Sequence, residues 1–197
     1  MNAAHPRLRG VVLVGICVAA LATRVVADQR LVDLDRSTVT VHVFKAGLFR
    51  ALADDHVIQA ALSDGSLDND AATPHVQIVI DARQMRVLDP GLSAGDRQKV
   101  QTRMLGPEVL DVTRFPWISF HSLESRRLNA SGWEVKGELE LHGHIRPMAV
   151  TVVEESGRYK GSATLRQSDF GIVPISIVGG TVKVKNEIRI DFDIVMR

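Results

Sequence analysis

The chain has 197 residues, 45% of them apolar and 24% charged, with 24 Lys and Arg against 23 Asp and Glu for a net charge of +1. That suffices for one ordinary domain, is too apolar for a disordered chain, and lacks the positive excess that a phosphate backbone requires, so nucleic acid is not an expected partner. The single Cys17 excludes an internal disulfide framework and any Cys-based metal cluster, since both need a second sulfur.

The first feature in chain order is an address. Arg7 and Arg9 precede an uncharged run from Gly10 to Thr23, shorter than the ~20 apolar residues that span a bilayer. With Val25-Val26-Ala27 ahead of Asp28, the pattern is that of a secretory signal peptide cleaved after Ala27. Residues 1–27 are therefore assigned to a signal peptide, residues 28–197 to the folded domain, and the expected destination is the periplasm. Cys17 lies mid-run behind Val14-Gly15-Ile16, which does not fit a lipoprotein acylation site. Cleavage removes Arg7, Arg9, Arg24 and Cys17, and moves the net charge from +1 to −2.

Beyond residue 28 the dominant period is two, the signature of half-buried strands. Val39, Val41 and Val43 alternate with Thr38, Thr40 and His42, and Val76, Ile78 and Ile80 with His75, Gln77 and Val79. Leu31–Asp35, Val57–Ser63, Trp117–Leu123, Met148–Val153 and Tyr159–Arg166 are further strand candidates. Trp133, Val135, Leu139 and Leu141 oppose Glu134, Lys136, Glu138 and Glu140. The last alternating segment, residues 181–196, exceeds the usual ~5–10 residues of a strand, which predicts a bulge or a wrap around a closed sheet. Asn186 falls on its apolar face, and burying an unsatisfied amide costs about 1–3 kcal/mol. A bulge that turns it outward is the favoured resolution, a polar contact inside a cavity the other.

Ser63-Asp64-Gly65, Asn129–Gly132, Gly143, Ser156-Gly157 and Gly179-Gly180 read as turns. About nine strands joined this way predict an antiparallel sandwich or barrel. One stretch departs from the period: Ser93-Ala94-Gly95-Asp96 has the form of a capping box. It opens a helix over Asp96–Leu105 with Val100, Met104 and Leu105 on a narrow apolar stripe, and Gly106-Pro107 ends it. Gly91-Leu92-Ser93-Ala94-Gly95 also matches the hydrolase nucleophile elbow, but Pro90 breaks the preceding strand and the chain lacks buried parallel strands, so Ser93 reads as a cap. His142 and His144 could form half of a metal site, with Asp54-Asp55-His56 adding carboxylates; no third ligand stands at a diagnostic spacing.

Three segments carry a family resemblance. The first runs from Ile80-Asp81-Ala82-Arg83-Gln84-Met85-Arg86-Val87 through the Asp96-Arg97 helix to Phe115-Pro116-Trp117-Ile118-Ser119-Phe120-His121-Ser122. The second is Val135-Lys136-Gly137-Glu138-Leu139-Glu140-Leu141-His142-Gly143 with Pro147, and the third is Ser168-Asp169-Phe170-Gly171-Ile172. Together they resemble the YceI-like family of exported lipid-binding proteins over about residues 30–197. The resemblance implies an all-β fold, a lipocalin-like closed antiparallel β-barrel with a short helical insertion, holding a polyisoprenoid or other lipid in its lumen. Asp96-Arg97-Gln98-Lys99-Val100 departs from the family's usual Arg-Asp-x-His-Leu and marks a divergent branch.

On this reading the lumen is lined by the inward alternates Val41, Val43, Ile78, Ile80, Phe120, Val135, Leu139, Ile188, Ile190 and Phe192. Leu48, Phe49, Val100 and Met104 are expected near its mouth. No bond chemistry and no cofactor are expected; an isoprenoid lipid or quinone would be a bound ligand, and a transient contact with the membrane surface would deliver it. Two other readings compete: a metal-dependent enzyme using His142, His144 and neighbouring acids, and a solid barrel that acts as a scaffold through its rim.

Overall fold

The structure, a computed structural model, describes residues 29–46, 55–68, 74–177 and 182–197. The alternating segments form one antiparallel sheet. Its strands are β1 (Gln29–Leu31), β2 (Thr38–Ala46), β3 (His56–Ala60), β4 (Leu62–Asp68), β5 (His75–Asp81), β6 (Arg86–Val87), β7 (Trp117–Arg127), β8 (Gly132–Leu141), β9 (His144–Glu155), β10 (Arg158–Arg166), β11 (Ser176–Ile177) and β12 (Val182–Val195). Their order in space is β1-β4-β5-β7-β8-β9-β10-β12-β2-β3-β6, with β11 beside β12.

The tightest hairpins are written in the sequence. His142-Gly143 joins β8 to β9 with φ of 52° and 73°, and Ser156-Gly157 joins β9 to β10 with φ of 53° and 76°. Two successive positive φ values define the turn whose twist matches a two-residue hairpin. At the β7–β8 hairpin Asn129 Oδ1 accepts from the Ser131 and Gly132 amides. Pro147, expected to follow a turn at Gly143, lies inside β9 opposite Glu138. It is tolerated because β10 pairs with β9 only from Thr151 onward, so the missing amide faces a side without a partner strand.

Other expectations are corrected. Ser63-Asp64-Gly65 is not a turn but part of β4, where the register with β5 shifts between Leu62 and Asp64. A Cβ on Gly65 would stand 2.6 Å from Val32 Cγ2, so this glycine admits a close chain crossing instead. Gly179-Gly180 lies outside the described residues. Leu31–Asp35 is not one strand: β1 ends at Leu31, Val32 makes an isolated bridge, and Leu34-Asp35 lie in a turn. The closed barrel is also corrected: β1 and β6, at the two ends of the ladder, do not pair with each other, and the sheet is an open half-barrel. These end strands are only three and two residues long, too short for an extended ladder. The β1 end meets β12 through an isolated Val32–Met196 bridge, flanked by Asp33 N donating to Val195 O and Arg197 N to Leu31 O.

The bulge expected in the last strand is present between Val184 and Ile188. Half-buried there, Asn186 accepts from Ser168 N at 2.9 Å and donates to Ser168 Oγ at 2.8 Å. Its amide thus clasps the 3-10 turn Gln167–Phe170.

The helical insertion is α1 (Ala94–Leu105), with Ser93 as its N-cap accepting from Asp96 N. The Ser93 hydroxyl also donates to Asp96 Oδ2 at 2.8 Å, so it is wholly engaged in capping. Met104 is buried, while Val100 and Leu105 pack against the core half-buried. Gln101 docks the helix on the sheet: its Oε1 accepts from Val87 N and its Nε2 donates to Met85 O, both at 2.8 Å, much as a neighbouring strand would pair with β6.

Candidate functional site: an apolar cavity inside the sheet

The inner face of the sheet encloses a cavity of about 490 Å³. Its wall follows the period of two: Val39, Val41 and Val43 from β2, Val76, Ile78 and Ile80 from β5, and Val135, Leu139 and Leu141 from β8. Met148, Val150 and Val152 of β9 and Ile188, Ile190, Phe192 and Ile194 of β12 continue it. Many of these side chains, Ile78, Ile80, Phe120 and Ile188 among them, are only half-buried although they point inward. Inward apolar groups that keep accessible surface mean an interior not filled by its own side chains.

Two glycines make that room. A Cβ on Gly161 would collide with Thr151 O and stand 2.5 Å from Phe192 Cζ. One on Gly137 would collide with His121 O and stand 2.7 Å from Phe120 Cζ. Both large rings therefore lie back over bare backbone.

The α1 end of the cavity is closed by Met85, Met104, Val109 and Leu110. It is fixed by a polar clasp on the buried Asp81 carboxylate: Arg83 Nε and Nη2, from a half-exposed side chain, donate to its two oxygens at 2.8 and 2.9 Å, and Gln84 Nε2 adds a bond at 2.9 Å. The Arg83 bonds hold the Asp81 carboxyl at about 2, against the upward push of burial. Beside it, buried Asp89 accepts from Val57 N at 2.8 Å and contacts His56 Nδ1 at 2.6 Å, tying the approach to α1 onto β3. Asp89 and Gln101 belong to no motif, and Asp81 falls in a segment that carries the family resemblance without any sign of its burial, since an acid or amide in sequence does not announce that it will be buried.

Of the expected lining, Val41, Val43, Ile78, Ile80, Met104, Phe120, Val135, Leu139, Ile188, Ile190 and Phe192 stand on the cavity wall. Val100 does not: half-buried, it packs against the core without lining the cavity, because the α1 stripe is narrow and Met104 alone reaches inward. Leu48 and Phe49 lie outside the described residues.

The histidines are occupied otherwise. His142 Nδ1 lies 3.1 Å from Phe170 O and His144 Nδ1 3.0 Å from His142 O, with the two rings stacked at 6.3 Å. Asp55 accepts from Lys45 N. Among the described residues no three His, Cys, Asp or Glu side chains gather in a metal-binding group.

Fold and cavity together define an antiparallel half-barrel with an aliphatic interior, capped by one helix. A family model described as YceI-like domain matches residues 31–196, and the chain belongs to that family. The structure resembles that of Burkholderia cenocepacia BcnA with a TM-score of 0.60 at 17% identity, over 83% of this chain and 98% of that one. It also resembles a mutant of the Campylobacter jejuni YCEI protein solved with a monobromobimane guest, with a TM-score of 0.51 at 11% identity, over 70% and 84% of the two chains. No curated protein matches the sequence.

Proposed function

We propose that the protein is a periplasmic carrier that holds a long apolar chain, a polyisoprenoid or another lipid, in this cavity and makes or breaks no bond. The observation that carries the reading is the aliphatic lining of a 490 Å³ interior space. Taking a methylene to need about the ~30 Å³ of a liquid water, the space admits at least about sixteen carbons. At ~0.8 kcal/mol per buried CH₂ these contribute ~13 kcal/mol, from which ~4–15 kcal/mol of association cost is subtracted. The most favourable balance, ~9 kcal/mol, corresponds to a submicromolar Kd. The signal-like residues 1–27 support export, and loading by transient contact with a membrane surface fits a ligand this insoluble. An isoprenoid quinone is one candidate cargo.

Native mass spectrometry and solvent extraction of protein purified from its own periplasm test the proposal. A co-purifying lipid is expected; its absence, together with failure of isoprenoid quinones to displace a dye from the cavity, would overturn it.

A further inference from the structure

The cavity is not polar in equal measure at its two ends. At the α1 end the wall is Met85, Met104, Val109 and Leu110. At the other end the inward positions turn polar on three strands. On β7, Ile118 and Phe120 give way to Ser125 and Arg127; on β9, Met148, Val150 and Val152 give way to Glu154; β1 contributes Arg30.

Three of these groups stand uncommitted among the described residues. Ser125 is only 8% exposed, and its Oγ is buried on the cavity wall with no hydrogen-bond partner. A buried hydroxyl left unsatisfied costs about 1–3 kcal/mol, so its retention points to a partner that arrives with the ligand. Half-buried Arg30 engages no carboxylate or carbonyl through its guanidinium among the described residues, and neither does the carboxylate of Glu154 pair with a cation. Arg127 is committed: it donates to Asn129 O at 3.0 Å and Ala130 O at 2.6 Å, and lies 5.3 Å from the Trp133 ring centroid. Its charge nevertheless stays at the rim, which therefore carries two guanidinium groups and one carboxylate. Arg30, paired with Leu67 and through it with Val76, which lies opposite Ser122, is three strand spacings from β7, about 14 Å across the sheet, with Ser125 a further ~7 Å along β7 past the bulge. A long arginine side chain and a compact anion can bridge that distance.

We infer that the cavity binds an amphiphile in one orientation, tail toward α1 and an anionic head, phosphate or carboxylate, between Arg30 and the Ser125 hydroxyl. This rests on the proposed function and deepens it from an apolar chain to an acidic lipid. Charge-assisted bonds are the stronger kind and account for the head's choice of end. Ser125 would donate to the anion, and Arg30 would supply the opposite charge.

The test is isothermal titration of the full mature chain with dodecyl phosphate, laurate and dodecanol, in the wild type and in Arg30→Gln and Ser125→Ala. The inference expects at least one of the two anions to bind about tenfold or more tightly than dodecanol, with the laurate arm deciding between carboxylate and phosphate heads. Each substitution should shrink that preference while leaving dodecanol affinity within about twofold. Ser125→Ala removes an unsatisfied hydroxyl, so its Tm should not fall, which separates lost recognition from lost fold. Equal affinity for anions and alcohol, or a preference that survives both substitutions, would overturn the inference while leaving the carrier reading in place. Failure of all three probes, dodecanol included, would overturn both.

Discussion

Ala163 faces the cavity from β10, opposite Ile190 of β12. Ala163→Phe places a six-carbon ring there, and at ~30 Å³ per carbon it takes up about 180 Å³, over a third of the 490 Å³ available. A bound chain would lose contact for about six methylenes, or ~5 kcal/mol at ~0.8 kcal/mol each, so affinity should fall by more than about a thousandfold. The same ring fills void in the empty protein, and burying it should stabilise by about 1.5–3 kcal/mol, or roughly 3–12 °C in Tm for a domain of this size. The two effects have opposite signs, which a merely damaged protein cannot reproduce. Displacement of an environment-sensitive dye by hexadecanol gives the affinity, and a thermal melt without ligand gives the stability. Affinity within threefold of wild type alongside a raised Tm would mean that the chain binds elsewhere. A lowered Tm would mean that the interior has no room for the ring, and the cavity argument would fail.

Gly161→Ala should be strongly destabilising, because the new Cβ collides with the Thr151 carbonyl and with the Phe192 ring across the strand pair; a urea titration should show a loss of several kcal/mol, as for overpacked cores at about 1–3 kcal/mol and more where backbone must move. Ser93→Ala removes the acceptor for Asp96 N and should cost about 1 kcal/mol, seen as faster amide exchange confined to the first turn of α1. For Asp81, whose folded value of about 2 lies below the ordinary 3.8, the charged clasp adds stability above pH 4 that disappears as the pH falls toward 2. The stability gap between wild type and Asp81→Asn should therefore be full at pH 5 and narrow steadily below pH 4; a gap independent of pH would show that the Arg83 bond does not depend on the carboxylate charge. Asn186→Ala removes both bonds to Ser168 and should cost about 1–3 kcal/mol, measured by chemical denaturation.

The strands were legible because alternation in β2, β5, β8 and β12 reports a sheet with one face turned inward, and the helix was legible because Ser93 and Asp96 cap in sequence as they do in space. What could not be read was parity across bulges. In β7 the register with β8 shifts between Ser122 and Glu124. Even-numbered Ile118 and Phe120 point inward before the shift, odd-numbered Ser125 and Arg127 after it. A strict period of two carried through residue 123 would have sent Glu124 and Arg126 inward instead, and turned Ser125 and Arg127 to the outside. The shift between Leu62 and Asp64 in β4 acts the same way: Leu62 faces Ile80 and Leu67 faces Val76, odd and even positions on one wall. Asp64-Gly65 signals a turn in sequence, and nothing local distinguishes a turn from a bulge whose glycine admits Val32.

Whether the interior is filled or hollow is a question that alternation cannot answer, since a solid barrel and a carrier share the same pattern of inward Val, Ile and Leu. The difference lies in the few inward positions that are small. On β10 the inner face runs through Gly161 and Ala163 before Leu165, and Gly137 interrupts the inner face of β8 between Val135 and Leu139. Opposite these gaps sit Phe192 and Phe120, whose rings fall back onto backbone where a side chain would otherwise have held them over the centre. Each mid-strand glycine is costly by itself, in entropy and in lost packing. Two such glycines, each beneath a phenylalanine, make sense when the space they open serves a ligand, so their replacement by alanine should affect ligand capacity as well as folding, which a filled scaffold would not require.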